Sequence, residues 1–138
     1  MSSSEASMSW PPLNSPSHVE HFRQRAKWLA PYAELISKLT TLDHAGLVFA
    51  HWSLDQFCIG TAPSYETFCE TENTGILTIE HISGNRFQIR CALDRKSWFG
   101  WYKDGEVLKF RGVCYDVRGD EAVSIVGGII CDALRNRA

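Results

Sequence analysis

No two of the five cysteines (Cys58, Cys69, Cys91, Cys114 and Cys131) form a C-x-x-C pair, and their number is odd. That spacing fits neither a disulfide framework nor a zinc knuckle. Three of the thiols fall in strand-like runs, where Cys behaves as a small hydrophobe. The pattern points to a reducing, cytoplasmic compartment. G-x-S-x-G, Walker and G-x-G-x-x-G motifs are missing, which argues against an elbow-type nucleophile and against nucleotide hydrolysis. No apolar run approaches the roughly 20 residues of a membrane helix. The N-terminal "MSSSEASMSWPPLNSPS" has neither the basic start nor the apolar core of a signal peptide. No motif implies a cofactor, so none is expected.

What remains is an ordinary globular composition. The chain has 138 residues, 44% apolar and 22% charged, with a net charge of −2. That length suits one domain and buries roughly two thirds of the unfolded surface. The Ser- and Pro-rich residues 1–16 read as a mobile tail, leaving a single domain over 17–138. Charge is uneven along the chain. Residues 62–84 hold Glu66, Glu70, Glu72 and Glu80 with no Lys or Arg, whereas 85–112 hold seven bases against three acids. Neighbouring strands of opposite charge pair across a sheet face, and a basic face also suits a partner.

Apolar residues at steps of three and four (Phe22, Ala26, Leu29, Ala33, Ile36) predict a helix over 18–41. Ser17 and Glu20 form a capping box at its start. Pro31 kinks it, or splits it into 18–29 and 31–41. The period then changes to two. "AGLVFAHW" with "DQFCIGTA", and "GILTIEHI" with "RFQIRCAL", read as hairpins. "SWFGWY" and "VLKFRGVCYDV" flank an Asp104-Gly105 turn. The parity of the last strand slips at Gly112, as a bulge there would cause. Residues 120–138 predict a C-terminal helix, in which Gly127-Gly128 would be justified by close approach to the sheet, with a strand over 122–130 as the alternative. The fold class is α+β: N-terminal helix, five- to six-stranded antiparallel meander over 45–117, C-terminal helix. The expected core includes Phe49, Phe57, Ile79, Phe87, Ile89, Phe110 and Tyr115.

Chemically, His18 and His21 share a helical turn, but two ligands do not make a metal site. Cys69 lies among glutamates, which quench a thiol. No catalytic residue can be assigned. Glu66, Glu70 and His81 are the candidates for a pocket between sheet and helix. The densest aromatic cluster is "DRKSWFGWYKDGEV", residues 94–107. Exposed rings beside cations suit stacking on a flat or anionic partner. Trp98, Trp101, Arg95 and Lys103 are therefore the candidate contact surface.

The segment "NRFQIRCALDR…WFGWYKDGEVLKFRGVCYDVRGDE" resembles the closing half of a PAS sensory domain: a strand with alternating bases, an aromatic strand, a D-G turn and a final strand entering an exit helix. The resemblance implies a sensor or dimerisation module and transfers no catalytic residue. The leading expectation is a small regulatory or scaffolding module that binds a protein or small ligand. Its partner is another protein or a second copy, joined through helix 18–41 or the C-terminal helix. Two other classes are kept: a small enzyme or ligand carrier, and a nucleic-acid binder using the basic aromatic strands.

Overall fold

A computed structural model describes residues 10–20, 30–53, 56–70, 76–92, 101–110 and 112–136. In chain order the elements are α1 (Ser17–Glu20), α2 (Ala30–Leu39), a 3-10 turn (Ala45–Leu47), β1 (Phe49–Ser53), β2 (Gln56–Gly60), α3 (Tyr65–Glu70), β3 (Ile76–Ser83), β4 (Arg86–Ala92), β5 (Trp101–Asp104), β6 (Val107–Phe110), β7 (Gly112–Arg118) and α4 (Gly119–Asn136). The fold is α+β, as composition and periodicity predict. Five strands form one antiparallel sheet in the order β1-β2-β3-β4-β7, and β5 with β6 forms a separate two-stranded sheet.

Period-two alternation directs Phe57, Ile59, Leu77, Ile79, Phe87 and Ile89 to one face of the sheet, where all are buried. Register pairs such as Phe57↔Ile79 and Ile79↔Ile89 stack these side chains strand to strand. Two helices cover that face. α2 contributes Tyr32, Leu35, Ile36 and Leu39, and α4 contributes Ala122, Val126 and Ile130, all joined in one core. Both sets recur at steps of three and four, one stripe per helix. The opposite face carries a smaller cluster of Trp10, Cys58, Ala62 and Ile76, with Phe49 and Tyr65 against it. β2 is therefore buried on both sides over Phe57–Gly60.

Tyr32 ties helix to sheet. Its buried hydroxyl donates to the Ile79 carbonyl and accepts the Phe57 N–H at 3.0 Å. One side chain thus satisfies two backbone groups of a register pair.

The structure departs from the sequence reading in several places. Residues 45–117 are not one continuous meander. β5 and β6 leave the main sheet, and the expected strand 107–117 is two strands in two sheets. Gly112 opens β7 at φ 134°, a conformation that side chains disfavour, so the phase slip marks a change of sheet. Residues 10–16, assigned to the tail by composition, lie against β1, with Leu13 fully buried. An apolar residue between two prolines and two turns offers no period to read. Of the expected helix over 18–41, Ser17–Glu20 and Ala30–Leu39 are helical, and residues 21–29, on which the choice between a kink and a split at Pro31 turns, lie outside the described residues. In α4, a Cβ on Gly127 would meet only a Leu42 methyl at 3.8 Å, and one on Gly128 would meet nothing within 4 Å. Close approach to the sheet is not what places them there. Of the expected core, Phe57, Ile79, Phe87 and Ile89 are buried, Phe49 is half-buried in the second cluster, and Tyr115 is exposed. The Phe110 side chain lies outside what is described.

Candidate functional site

A sheet ends in two strands, each with backbone groups on its outer side that need partners. At β1 those partners come from the chain itself. The Ala50 N–H donates to the Pro11 carbonyl at 2.9 Å and the Leu13 N–H to the Val48 carbonyl at 2.9 Å. A bridge pairs Pro12 with Phe49. Trp10 then stacks on His51, ring centroids 5.7 Å apart. Two prolines suit this position, because an edge segment needs no N–H on its outer side.

At β7 nothing comparable occurs among the described residues. The strand runs seven residues and, among the described residues, pairs with β4 alone. Six of the seven are exposed and Val117 is half-buried. Opposite β4, Val113, Tyr115 and Val117 pair with Cys91, Ile89 and Phe87, so they belong to the helix-covered face. Only Val117 reaches the core. Val113 and Tyr115 retain 47% and 36% of their surface, an apolar row at the rim of the sheet. β7 has no Lys or Pro to guard it, and its two charges, Asp116 and Arg118, sit at one end.

The other face of β7 joins a polar ladder that crosses four strands. The Glu80 carboxylate accepts from Gln56 Nε2 at 2.8 Å and from Arg90 Nη2 at 3.0 Å. Arg90 Nη1 donates to Gln88 Oε1 at 2.8 Å, and Gln88 Nε2 lies 3.4 Å from Asp116 Oδ1. The acidic and basic segments of the sequence thus meet as neighbouring strands. Arg90 is 7% exposed, so its charge is held by Glu80 rather than by water. Its Nε and the Thr78 hydroxyl beside it make no hydrogen bond, although Thr78 lies near enough to the Cys58 thiol to favour the thiolate slightly. Burial nevertheless pushes that thiol up to about 12. Cys114 on β7 is exposed, and its pKa is raised first by partial burial and then by Asp116. Cys58, Cys91, Cys114 and Cys131 are all free thiols.

Of the residues chosen from sequence for a contact surface, Trp98 and Arg95 lie outside the described residues. Trp101 opens β5, but its side chain is not described. Lys103 is exposed on the same strand, two residues on. Of the pocket candidates, Glu66 is exposed on α3 and the Glu70 side chain is not described. His81 is a structural histidine. It donates through Nε2 to the Gly84 carbonyl at 2.7 Å and packs on Tyr32 and Phe87. Neither Glu66 nor His81 lines any of the three described cavities.

The largest of those cavities, about 290 Å³, is a shallow cleft beside β1 lined by Pro11, Ser17, His18, Ala50, His51 and Trp52. Burial lowers the pKa of both histidines, and His51 lowers that of His18 further. His18 Nε2 donates to the Pro12 carbonyl at 2.8 Å, and Trp52 Nε1 donates to the His18 carbonyl at 3.1 Å. These imidazoles hold the N-terminal segment against β1. Among the described residues no three His, Cys, Asp or Glu side chains converge on a metal site. No helix described is long and apolar enough to cross a membrane.

Sequence reasoning missed the β7 edge, although one signal for it was present. The last strand of a meander has a neighbour on one side only, and "GVCYDV" carries alternating apolar residues with no gatekeeper charge among the first four. No known protein family, curated protein or solved structure matches the chain. These comparisons neither support nor refute the resemblance to PAS domains read from the sequence, mainly over residues 85–117.

Proposed function

We propose that the protein is a small regulatory or scaffolding module that works by binding, and that it takes an extended segment of a protein partner along β7. The observation carrying this reading is an edge strand of seven residues with an exposed apolar row, set against an opposite edge that the chain closes itself. Strand addition draws affinity from main-chain hydrogen bonds and specificity from alternate side chains. β7 offers both. Its outer backbone supplies the hydrogen bonds, and Val113 and Tyr115 supply the side-chain surface. The sensor or dimerisation role implied by the PAS-like segment agrees with this reading but does not carry it.

A random peptide library displayed on phage is a direct test. Selection on the full chain should enrich peptides with apolar residues at alternate positions, and Tyr115→Lys should abolish their capture. Enriched peptides that bind this variant equally well would show that recognition lies elsewhere.

A further inference from the structure

We infer that the strand received by β7 is β7 of a second copy, antiparallel and related by a two-fold axis through Tyr115. The inference rests on the reading of β7 as a recognition edge. Two five-stranded sheets would then join into one of ten.

The argument is one of register. A continuous sheet keeps each face on its own side, so residues of like parity must stand opposite one another. With the axis at Tyr115, all seven residues of β7 are paired. On the helix-covered face Tyr115 meets Tyr115, and Val113 meets Val117 twice. The exposed Val113 gains an apolar neighbour, and Val117 extends the core it already touches. On the other face Cys114 meets Asp116 and Gly112 meets Arg118, so no like charges are opposed. Neighbouring registers are poorer. An axis at Asp116 would set the two carboxylates opposite each other, which destabilises a pair. An axis at Cys114 would pair fewer residues of β7 and bring the two thiols together.

Pairing through the C-terminal helix, one of the alternatives drawn from sequence, has less to recommend it. The exposed positions of α4 are Asp120, Glu121, Ser124, Gly128, Asp132 and Arg135, and its apolar residues are buried or half-buried. That outer face is already suited to water.

Native mass spectrometry and sedimentation of the full chain from micromolar to millimolar concentration should show a monomer–dimer equilibrium. Tyr115→Lys places two ammonium groups at the axis and should raise the dissociation constant about tenfold or more. Val113→Lys, at a more exposed position, guards against a folding defect in the first variant. Tyr115→Cys in a Cys114→Ser background should form a disulfide-linked dimer on mild oxidation. Directly opposed residues are about 4.5–5.5 Å apart, within the reach of a disulfide. The native Cys114 pair would be diagonal, about 7–8 Å apart, and should cross-link poorly. Efficient Cys114–Cys114 linkage would overturn the register, and a monomer throughout the range would overturn the second copy. Amide exchange separates that last failure from a failure of the edge itself. Fast exchange on the outer side of β7 in a monomer leaves the edge open to another protein, whereas protection independent of concentration sinks both readings.

Discussion

The two edges of the sheet solve the same problem in opposite ways. β1 is covered at its start by residues 10–13, which accept from the Ala50 N–H and donate to the Val48 carbonyl, and whose Trp10 and Leu13 are buried. β7 is left with its outer side unpaired among the described residues and with Val113 and Tyr115 in contact with water. A chain that spends an N-terminal segment on one edge has the means to cover an edge. On the proposed reading stability belongs to the β1 side and recognition to the β7 side, and each assignment predicts a different response to mutation.

The largest effect belongs to the closed edge. Leu13 is fully buried in the main core although it lies outside the sheet. Leu13→Ala should cost about 2–5 kcal/mol, the range for deleting a buried leucine. Amide exchange at Ala50 should quicken with it, because its carbonyl partner is Pro11. A loss no larger than that of an exposed substitution would mean that residues 10–13 merely rest on β1.

The next effect lies where β7 turns into α4. A Cβ on Gly119 would stand 2.6 Å from Asn85 Oδ1 and 3.4 Å from the Phe87 ring. The Gly119 N–H also lies 3.1 Å from the Asn85 carbonyl and 3.3 Å from its side-chain oxygen. Gly119→Ala should therefore cost about 1–3 kcal/mol, as overpacking does. Asn85→Ser should restore part of that loss by removing the clashing amide. If Gly119→Ala is neutral in chemical denaturation, the β3–β4 turn is not fixed to α4 in the way the distances indicate.

How far this division could be read from sequence depends on the residues. Alternation located the β1–β2 and β3–β4 hairpins, in which Phe57, Ile79, Phe87 and Ile89 obey the pleat. Glu80 and Arg90 were legible as charges of neighbouring strands, and they meet at 3.0 Å. Leu13 was not legible, because a single apolar residue among prolines and serines has no periodicity. The break at Gly112 was visible only as a slip of phase. Propensity cannot distinguish a bulge within one sheet from a passage between two. The exposure of Tyr115 was hidden for a further reason: its parity is that of a core residue, and whether a helix reaches that far is decided by tertiary packing. Trp98, Trp101 and Arg95 were chosen for local chemistry, and local chemistry carries no information about which edge of a sheet the chain has closed.

A third contrast is electrostatic. His18 stands at the closed edge, 2% exposed, with its pKa drawn below the ordinary 6.5 chiefly by burial and further by His51. The group facing it directly is the Pro12 carbonyl, which accepts from Nε2 and opposes the shift. In the unfolded chain the imidazole takes up a proton at the ordinary pKa, and in the folded chain only at lower pH. Below 6.5 the unfolded state therefore binds more protons, and stability falls with pH until the folded value is passed. The full contribution is present above 6.5. Denaturation midpoints should decline on acidification through this window, and His18→Gln should flatten the slope. β7 has no histidine, so a dimer held there should keep its dissociation constant across the same window. A dissociation constant that rises in parallel with the loss of stability would place the association at the β1 side instead.

The smallest effect is the one that most sharpens the comparison. Val113 is nearly half exposed at 47%, and its side chain is not part of the main core. Val113→Thr keeps the β-branched shape that suits a strand and exchanges one methyl for a hydroxyl that water can solvate. For the isolated fold the change should stay within about 0.5 kcal/mol, as surface substitutions do. Measured on the assembled form, the same change places two hydroxyls opposite Val117 side chains and should weaken association while the denaturation midpoint of the monomer stays put. A residue with no weight in folding and a measurable weight in association belongs to an edge kept for a partner. If Val113→Thr lowers monomer stability as much as a core substitution, β7 is already covered within a single chain.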